Sequence, residues 1–220
     1  MKVFFHKDNL KSWIVFAVGM VIGLAVYGSL PEEIPTHWGI SGEVDGWGPR
    51  AFIFMGPVMS LFCILLAEIR RIDPKKENYE KFQKHYYTIF FLVSLIGLGI
   101  ELMTIAAVKG IEVKVNLIVS LLVGIVFIIM GNLMPKFKHN YYAGIRTSWT
   151  LANEDVWYAT HRFAGKIWFA AGFIILVSAF LPPVWNFVIM MAALLVCVLT
   201  TAVYSYLKFR EITGKTKPEE

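Results

Sequence analysis

Two polar segments interrupt an otherwise apolar chain, and they hold most of the side chains able to do chemistry. The first, residues 140–166, combines Arg146, Ser148, Glu154, Asp155, Thr160, His161 and Arg162 with Trp149 and Trp157. A histidine near a carboxylate and a hydroxyl is the residue set of nucleophilic catalysis. The spacing works against it: on a helix, Asp155 and His161 are poorly aligned. No Gly-x-Ser-x-Gly, His-Glu-x-x-His, Gly-x-Gly-x-x-Gly or Walker-type pattern occurs. The second segment, residues 31–50, sets Glu32, Glu33, Glu43 and Asp45 against His37 and Arg50. Imidazole with carboxylates can hold zinc, but this spacing matches no standard ligand pattern, and neither a metal nor another cofactor is assigned. The third candidate is Glu101, the one acid well inside an apolar run. Such a carboxyl is a functional-site hypothesis by default. It can accept hydrogen bonds from a neighbouring span, carry a proton, or approach the 31–50 segment.

These groups must be positioned by membrane-spanning helices. The 220 residues are 57% hydrophobic and 17% charged, too apolar for an ordinary soluble domain. The excess falls into six runs, at residues 12–30, 51–69, 86–108, 115–134, 167–181 and 184–207. A helix needs about 20 apolar residues to cross the hydrocarbon core. The fifth run is short and borrows Phe163 to Lys166, with Lys166 snorkelling to the interface. Pro182-Pro183 must separate the last two spans. The expected fold is therefore an all-α integral membrane protein with six transmembrane helices. With the N-terminus inside, 18 Lys and Arg fall on inner segments and 3 on outer ones, a strong positive-inside signal. Both termini and the 135–166 loop are then cytoplasmic, and the 31–50 loop is outside. The net charge of +5 serves topology and anionic head groups rather than nucleic acid. The first run lacks a small-residue cleavage site and reads as a retained span. Cys63 and Cys197, both inside apolar runs, read as core or lipid-facing residues.

Local signals refine both loops. If Ser41-Gly42 were a two-residue hairpin turn, residue 38 would oppose residue 45. Alternation would then put His37 on the opposite face from Asp45. A shared His37–Asp45 site needs another loop shape. Asn153-Glu154-Asp155 is a helix start, an amide cap followed by two acids in the first turn. From there Trp157, His161, Gly165 and Trp168 share a face. A helix over 154–181 would be roughly 42 Å long, so its first turns lie in or beyond the inner interface. The inner block has two readings. It is a docking or sensing surface, or an interfacial anchor with Arg146 on lipid phosphate and Trp149 and Trp157 at head-group depth. Asn116 and Asn132 are expected to make helix-to-helix polar contacts.

Both loops carry a family resemblance. Leu30-Pro-Glu-Glu-Ile-Pro-Thr-His-Trp and Gly42-Glu-Val-Asp-Gly-Trp resemble the signature of the DUF1648 domain. Gly144-Ile-Arg-Thr-Ser-Trp-Thr-Leu, Glu154-Asp-Val-Trp and Thr160-His-Arg-Phe-Ala-Gly resemble that of the SdpI family, small multi-spanning bacterial membrane proteins. The family pattern often has proline where Ser148 stands. The matches divide the chain into a DUF1648-like region, 1–69, and an SdpI-like region, 70–220. The resemblance implies an immunity and signalling role in the plasma membrane, without catalysis. His37, Trp38, Gly42, Asp45 and Glu101 are then candidates for meeting a secreted peptide toxin. Gly144, Arg146, Thr147, Trp149, Trp157, Thr160, His161 and Arg162 are candidates for meeting a cytoplasmic repressor or for coupling. The competing readings are a metal-dependent hydrolase using His37 or His161, and a proton-coupled carrier through Glu101. One acid and no internal repeat argue against a coupled transporter.

Overall fold

In a bilayer core no water satisfies the backbone, so apolar runs must close their own hydrogen bonds as helices. The computed structural model, which describes residues 6–214, is built that way; Lys2, Lys215 and Lys217 of the charge count lie outside the described residues. Helix α1 spans Leu10–Tyr27, α2 Met55–Leu66 between short 3-10 turns, α3 Gln83–Val108 and α4 Val115–Leu133. A short α5 (Ser148–Ala152) precedes α6 (Glu154–Ser178) and α7 (Pro183–Gly214). Five helical stretches are long and apolar enough to cross a membrane: Lys7–Tyr27, Arg50–Ile72, Gln83–Val108, Val115–Lys136 and Pro183–Gly214. Helix α6 is not among them, because Glu154, Asp155, Arg162 and Lys166 occupy its first half. Pro182-Pro183 ends the hairpin between α6 and α7 as expected, and α6 stops at Ser178, three residues short of the expected end. Leu24, Phe62, Val177, Leu195 and Val203 are among many large apolar side chains left on the outside, as a lipid-facing surface requires.

The 31–50 segment departs from an all-helical plan. It folds as an antiparallel hairpin, β1 (Glu33–Trp38) with β2 (Val44–Pro49). A cluster of Leu30, Ile34, Ile53 and Ile105 roots the hairpin on α3. Helices α1, α2 and α3 pack together, while α4, α6 and α7 form a second group. The α4–α6 crossing is very close. A methyl added at Gly131 would stand 2.5 Å from the Phe169 amide nitrogen and 2.7 Å from the Gly165 carbonyl oxygen. Small residues permit this backbone approach, which supplies the van der Waals contact that holds helices together in lipid.

Candidate functional site

The hairpin brings His37 and Asp45 together by breaking alternation. Pairing runs Pro35 with Trp47, then His37 with Gly46, then Trp38 with Val44. Thr36 is therefore an extra residue in β1 and Asp45 an extra residue in β2. Each such irregularity resets which face a side chain takes. The strands are joined by Gly39–Glu43 rather than by a two-residue turn, closed by the Gly39 N–H donating to the Glu43 carbonyl at 2.9 Å. The result is a His37 Nδ1 to Asp45 Oδ1 contact of 2.5 Å. Its side chains are 72% and 51% exposed. A pair this exposed contributes at most about 1 kcal/mol to folding.

Beneath the hairpin lies a cavity of about 700 Å³, within the range of small-ligand pockets. His37, Trp38 and Asp45 stand on one side; Asn116 and Val119 of α4 and Phe187 of α7 stand on the other. Asn116 donates to the Ile40 carbonyl at 3.0 Å, so it holds the hairpin tip rather than another helix. Gly42, with φ of 87°, sits directly over the Asn116 amide. Asn186, also in the cavity wall, is buried and donates to Ser120 at 2.8 Å and Ser178 at 3.0 Å. These bonds make a polar contact among α4, α6 and α7; of the two asparagines expected to make helix-to-helix contacts, Asn116 holds the hairpin and Asn132 is exposed at a groove between α4 and α6.

Glu101 stands apart from this cavity. It is buried between α1, α2 and α3, and neither carboxyl oxygen has a hydrogen-bond partner among the described residues. Methyl groups at Gly19 and Gly56 would fall 2.8 and 3.0 Å from its Oε2. The helix contacts here are shaped around the carboxyl.

On the opposite side of the molecule residues 140–166 fold into a packed platform. Asn153 accepts from the Asp155 and Val156 amides at 2.9 and 3.1 Å and starts α6 as expected. Trp157 and His161, one turn apart, are fully buried and stack with ring centroids 4.1 Å apart. Trp157 is thus a core residue, not a head-group anchor; its indole N–H donates to the Phe137 carbonyl at 3.0 Å. His161 Nε2 accepts the Ile145 amide at 3.0 Å, which leaves Nδ1 to carry the proton and donate to the Trp157 carbonyl at 2.8 Å. Burial pushes its pKa down to about 4, outweighing the Trp157 carbonyl bond that favours the charged form. With both nitrogens engaged by backbone, His161 has no free nitrogen for general-base work with Ser148 or Thr160. The Thr160 hydroxyl is buried without a partner among the described residues.

Gly144 closes this arrangement. Its φ is +107°, and a methyl on it would lie 2.5 Å from His161 Nε2. Thr147 caps α5 in a reciprocal pair with Thr150 and donates to Ser205 of α7 at 3.0 Å. Trp149 packs on Tyr206, 5.1 Å between rings. Arg146 is exposed and donates to the Tyr141 carbonyl at 3.0 Å. Arg162 is exposed too, but faces a groove between α4 and α6.

Sequence reasoning missed the residues that hold the platform from behind. Asp73 accepts the Tyr79 hydroxyl at 2.6 Å, the Lys75 amide at 2.7 Å and the Tyr141 amide at 2.8 Å. Asn140 accepts the Tyr142 and Ala143 amides at 2.9 and 2.7 Å and donates to the Ala143 carbonyl at 3.0 Å. Lys75 donates to His139 Nδ1 at 2.6 Å. Burial, reinforced by Asp73, holds the Tyr79 phenol well above its ordinary pKa. The connection between α2 and α3 is thereby welded to the 137–147 loop. An Asp-Pro pair and an Asn-Tyr-Tyr run are the available sequence signals; their partnership is not visible locally.

Both polar segments fall within residues that match known protein families. The SdpI/YfhL protein family matches residues 136–205, which span the platform, α6 and most of α7. A domain of unknown function, DUF1648, matches residues 14–61, which include the hairpin. The chain is 32% identical over 212 residues to a protein of Bacillus subtilis (strain 168) named immunity protein SdpI, covering 94% of this chain and 99% of that one. No solved structure matches the chain.

Proposed function

The chain belongs to the SdpI/YfhL family of multi-pass cell-membrane proteins, and from that premise we propose that it protects its cell against a secreted, membrane-active peptide. The observation that carries this reading is identity to a named immunity protein along nearly the whole chain. In this reading the apolar second half of α6 is a sixth span, sheltered against α4, and both termini are cytoplasmic, as the distribution of Lys and Arg favours. The 1–69 region contributes outer contact and the 70–220 region the inner platform. His37, Trp38, Gly42 and Asp45 meet the peptide at the cavity beneath the hairpin, which offers an ionisable rim over an apolar floor. Glu101 lies outside that cavity, buried between α1, α2 and α3, and is not part of this contact.

The inner platform would capture a cytoplasmic repressor through exposed Tyr141, Tyr142 and Arg146. Gly144, Thr147, Trp149, Trp157, Thr160 and His161 give that surface its shape. A contiguous route supports coupling: Asn186 borders the outer cavity and bonds Ser178 at one end of α6, whose other end carries Trp157 and His161. The test is survival of a sensitive bacterium, with and without the expressed protein, across a panel of membrane-active peptides. The proposal expects a raised inhibitory concentration for at least one peptide. Equal survival across the panel would overturn it.

A further inference from the structure

The α4–α6 crossing leaves a groove of about 550 Å³ at its charged end. Arg162 and Lys166 line it with Pro135, Asn132 and Phe169, over the floor formed by Gly131 and Gly165. Arg162 and Lys166 are one turn apart on the same face of α6, so both can reach a single anion. Neither makes an ion pair or hydrogen bond within residues 6–214. No acidic residue lines the groove. Lys208 of α7, the next cation, is already paired with Glu211 at 2.8 Å. The site therefore has two cations and no counter-charge of its own.

Its apolar part runs in the right direction for a lipid. Phe169 lies two turns beyond Arg162, about 10 Å along the helix axis at 1.5 Å per residue. Arg162 and Lys166 stand at the charged end, while Phe169 lies where α6 has become wholly apolar. Basic pockets between spans commonly seat anionic lipid head groups, and arginine meets phosphate with two parallel donors. We propose that this groove is a binding site for an anionic phospholipid, with the phosphate between Arg162 and Lys166 and an acyl chain along Pro135 and Phe169. This assignment does not depend on the peptide or repressor reading, since it concerns the protein in any anionic bilayer. It gives Arg162 a lipid partner in place of a protein one.

Native mass spectrometry of the full chain, released from detergent with added dioleoylphosphatidylglycerol or dioleoylphosphatidylcholine, tests the site. Wild type should retain one phosphatidylglycerol in preference to phosphatidylcholine. The double variant Arg162→Gln with Lys166→Gln should hold it on the order of 30-fold more weakly, from two cations near a lipid surface. The charge-keeping pair Arg162→Lys with Lys166→Arg should retain it, which guards against misfolding of the first variant. Lys76→Gln with Lys84→Gln, exposed cations elsewhere, should leave retention unchanged. Equal retention of the two lipids by wild type, or phosphatidylglycerol held equally by wild type and the glutamine pair, would overturn the assignment. So would an equal loss in the Lys76, Lys84 control, which would mean diffuse charge and no site.

Discussion

Replacing Gly144 with alanine tests the platform at its tightest point. Two costs are readable. The backbone there has φ of +107°, a region that costs a non-glycine residue on the order of 1–3 kcal/mol. The new methyl would also lie 2.5 Å from His161 Nε2, so the imidazole must shift and lose the Ile145 amide bond. Leaving a buried donor and acceptor unsatisfied costs about 1–3 kcal/mol more. The sum, roughly 2–6 kcal/mol, corresponds to a drop in melting temperature on the order of 5–20 °C for a chain of this size. Thermal unfolding in a fixed detergent, followed by helix circular dichroism, measures it. Adding His161→Ala to Gly144→Ala removes the clash and leaves only the backbone strain. The double variant should therefore be less damaged than the sum of the two singles. A Gly144→Ala protein melting within a degree or two of wild type would refute the geometry. Strict additivity with His161→Ala would refute the contact between the two residues.

Acidification should weaken the platform in a defined window. His161 titrates near 4 in the fold and near 6.5 when unfolded, so the unfolded chain alone binds that proton between these values. Stability from this group is complete above pH 6.5 and falls as pH drops towards 4, by about 3 kcal/mol in all; His161→Gln should flatten melting temperature against pH over that range. Removing the hairpin pair by His37→Ala or Asp45→Asn should leave melting nearly unchanged, within about 1 kcal/mol for an exposed pair. The same variants should lose protection in the survival assay; intact protection would separate the pair from recognition. Gly131→Ala must push α4 and α6 apart, because its methyl meets backbone atoms that cannot give way, at a cost of about 1–3 kcal/mol. Gly28→Ala, with nothing within 4 Å of its methyl, is the control and should melt like wild type.

The helices were legible because bilayer physics acts locally. Apolar runs, the Asn153 cap and the Pro182-Pro183 break act within a few residues, and the structure honours each. The fifth run was legible only in part: charge in the first half of α6 keeps it below the composition of a free-standing span, while glycine contacts with α4 carry its packing. Hairpin register was not legible, since two extra residues, Thr36 and Asp45, overturn simple alternation. Trp157 illustrates another limit. Its type suits an interface, and only the long-range fold of residues 67–82 and 137–147 around it makes it core. Asp73 and Tyr141 meet across 68 residues of chain, a distance over which no periodicity informs.

The glycine crossing of α4 and α6 also sets which motions the molecule can make. Gly124 meets Gly172, and Gly131 meets Gly165, as backbone-to-backbone contacts. These two fixed points lie about 10 Å apart along each helix. Sliding by one residue, or rotating by one position, would drive side chains into backbone at both. Neither a piston stroke nor a twist of α6 alone is open to it. The two helices are therefore locked to each other as one unit, and Asn186 of α7 ties itself to both by bonding Ser120 and Ser178.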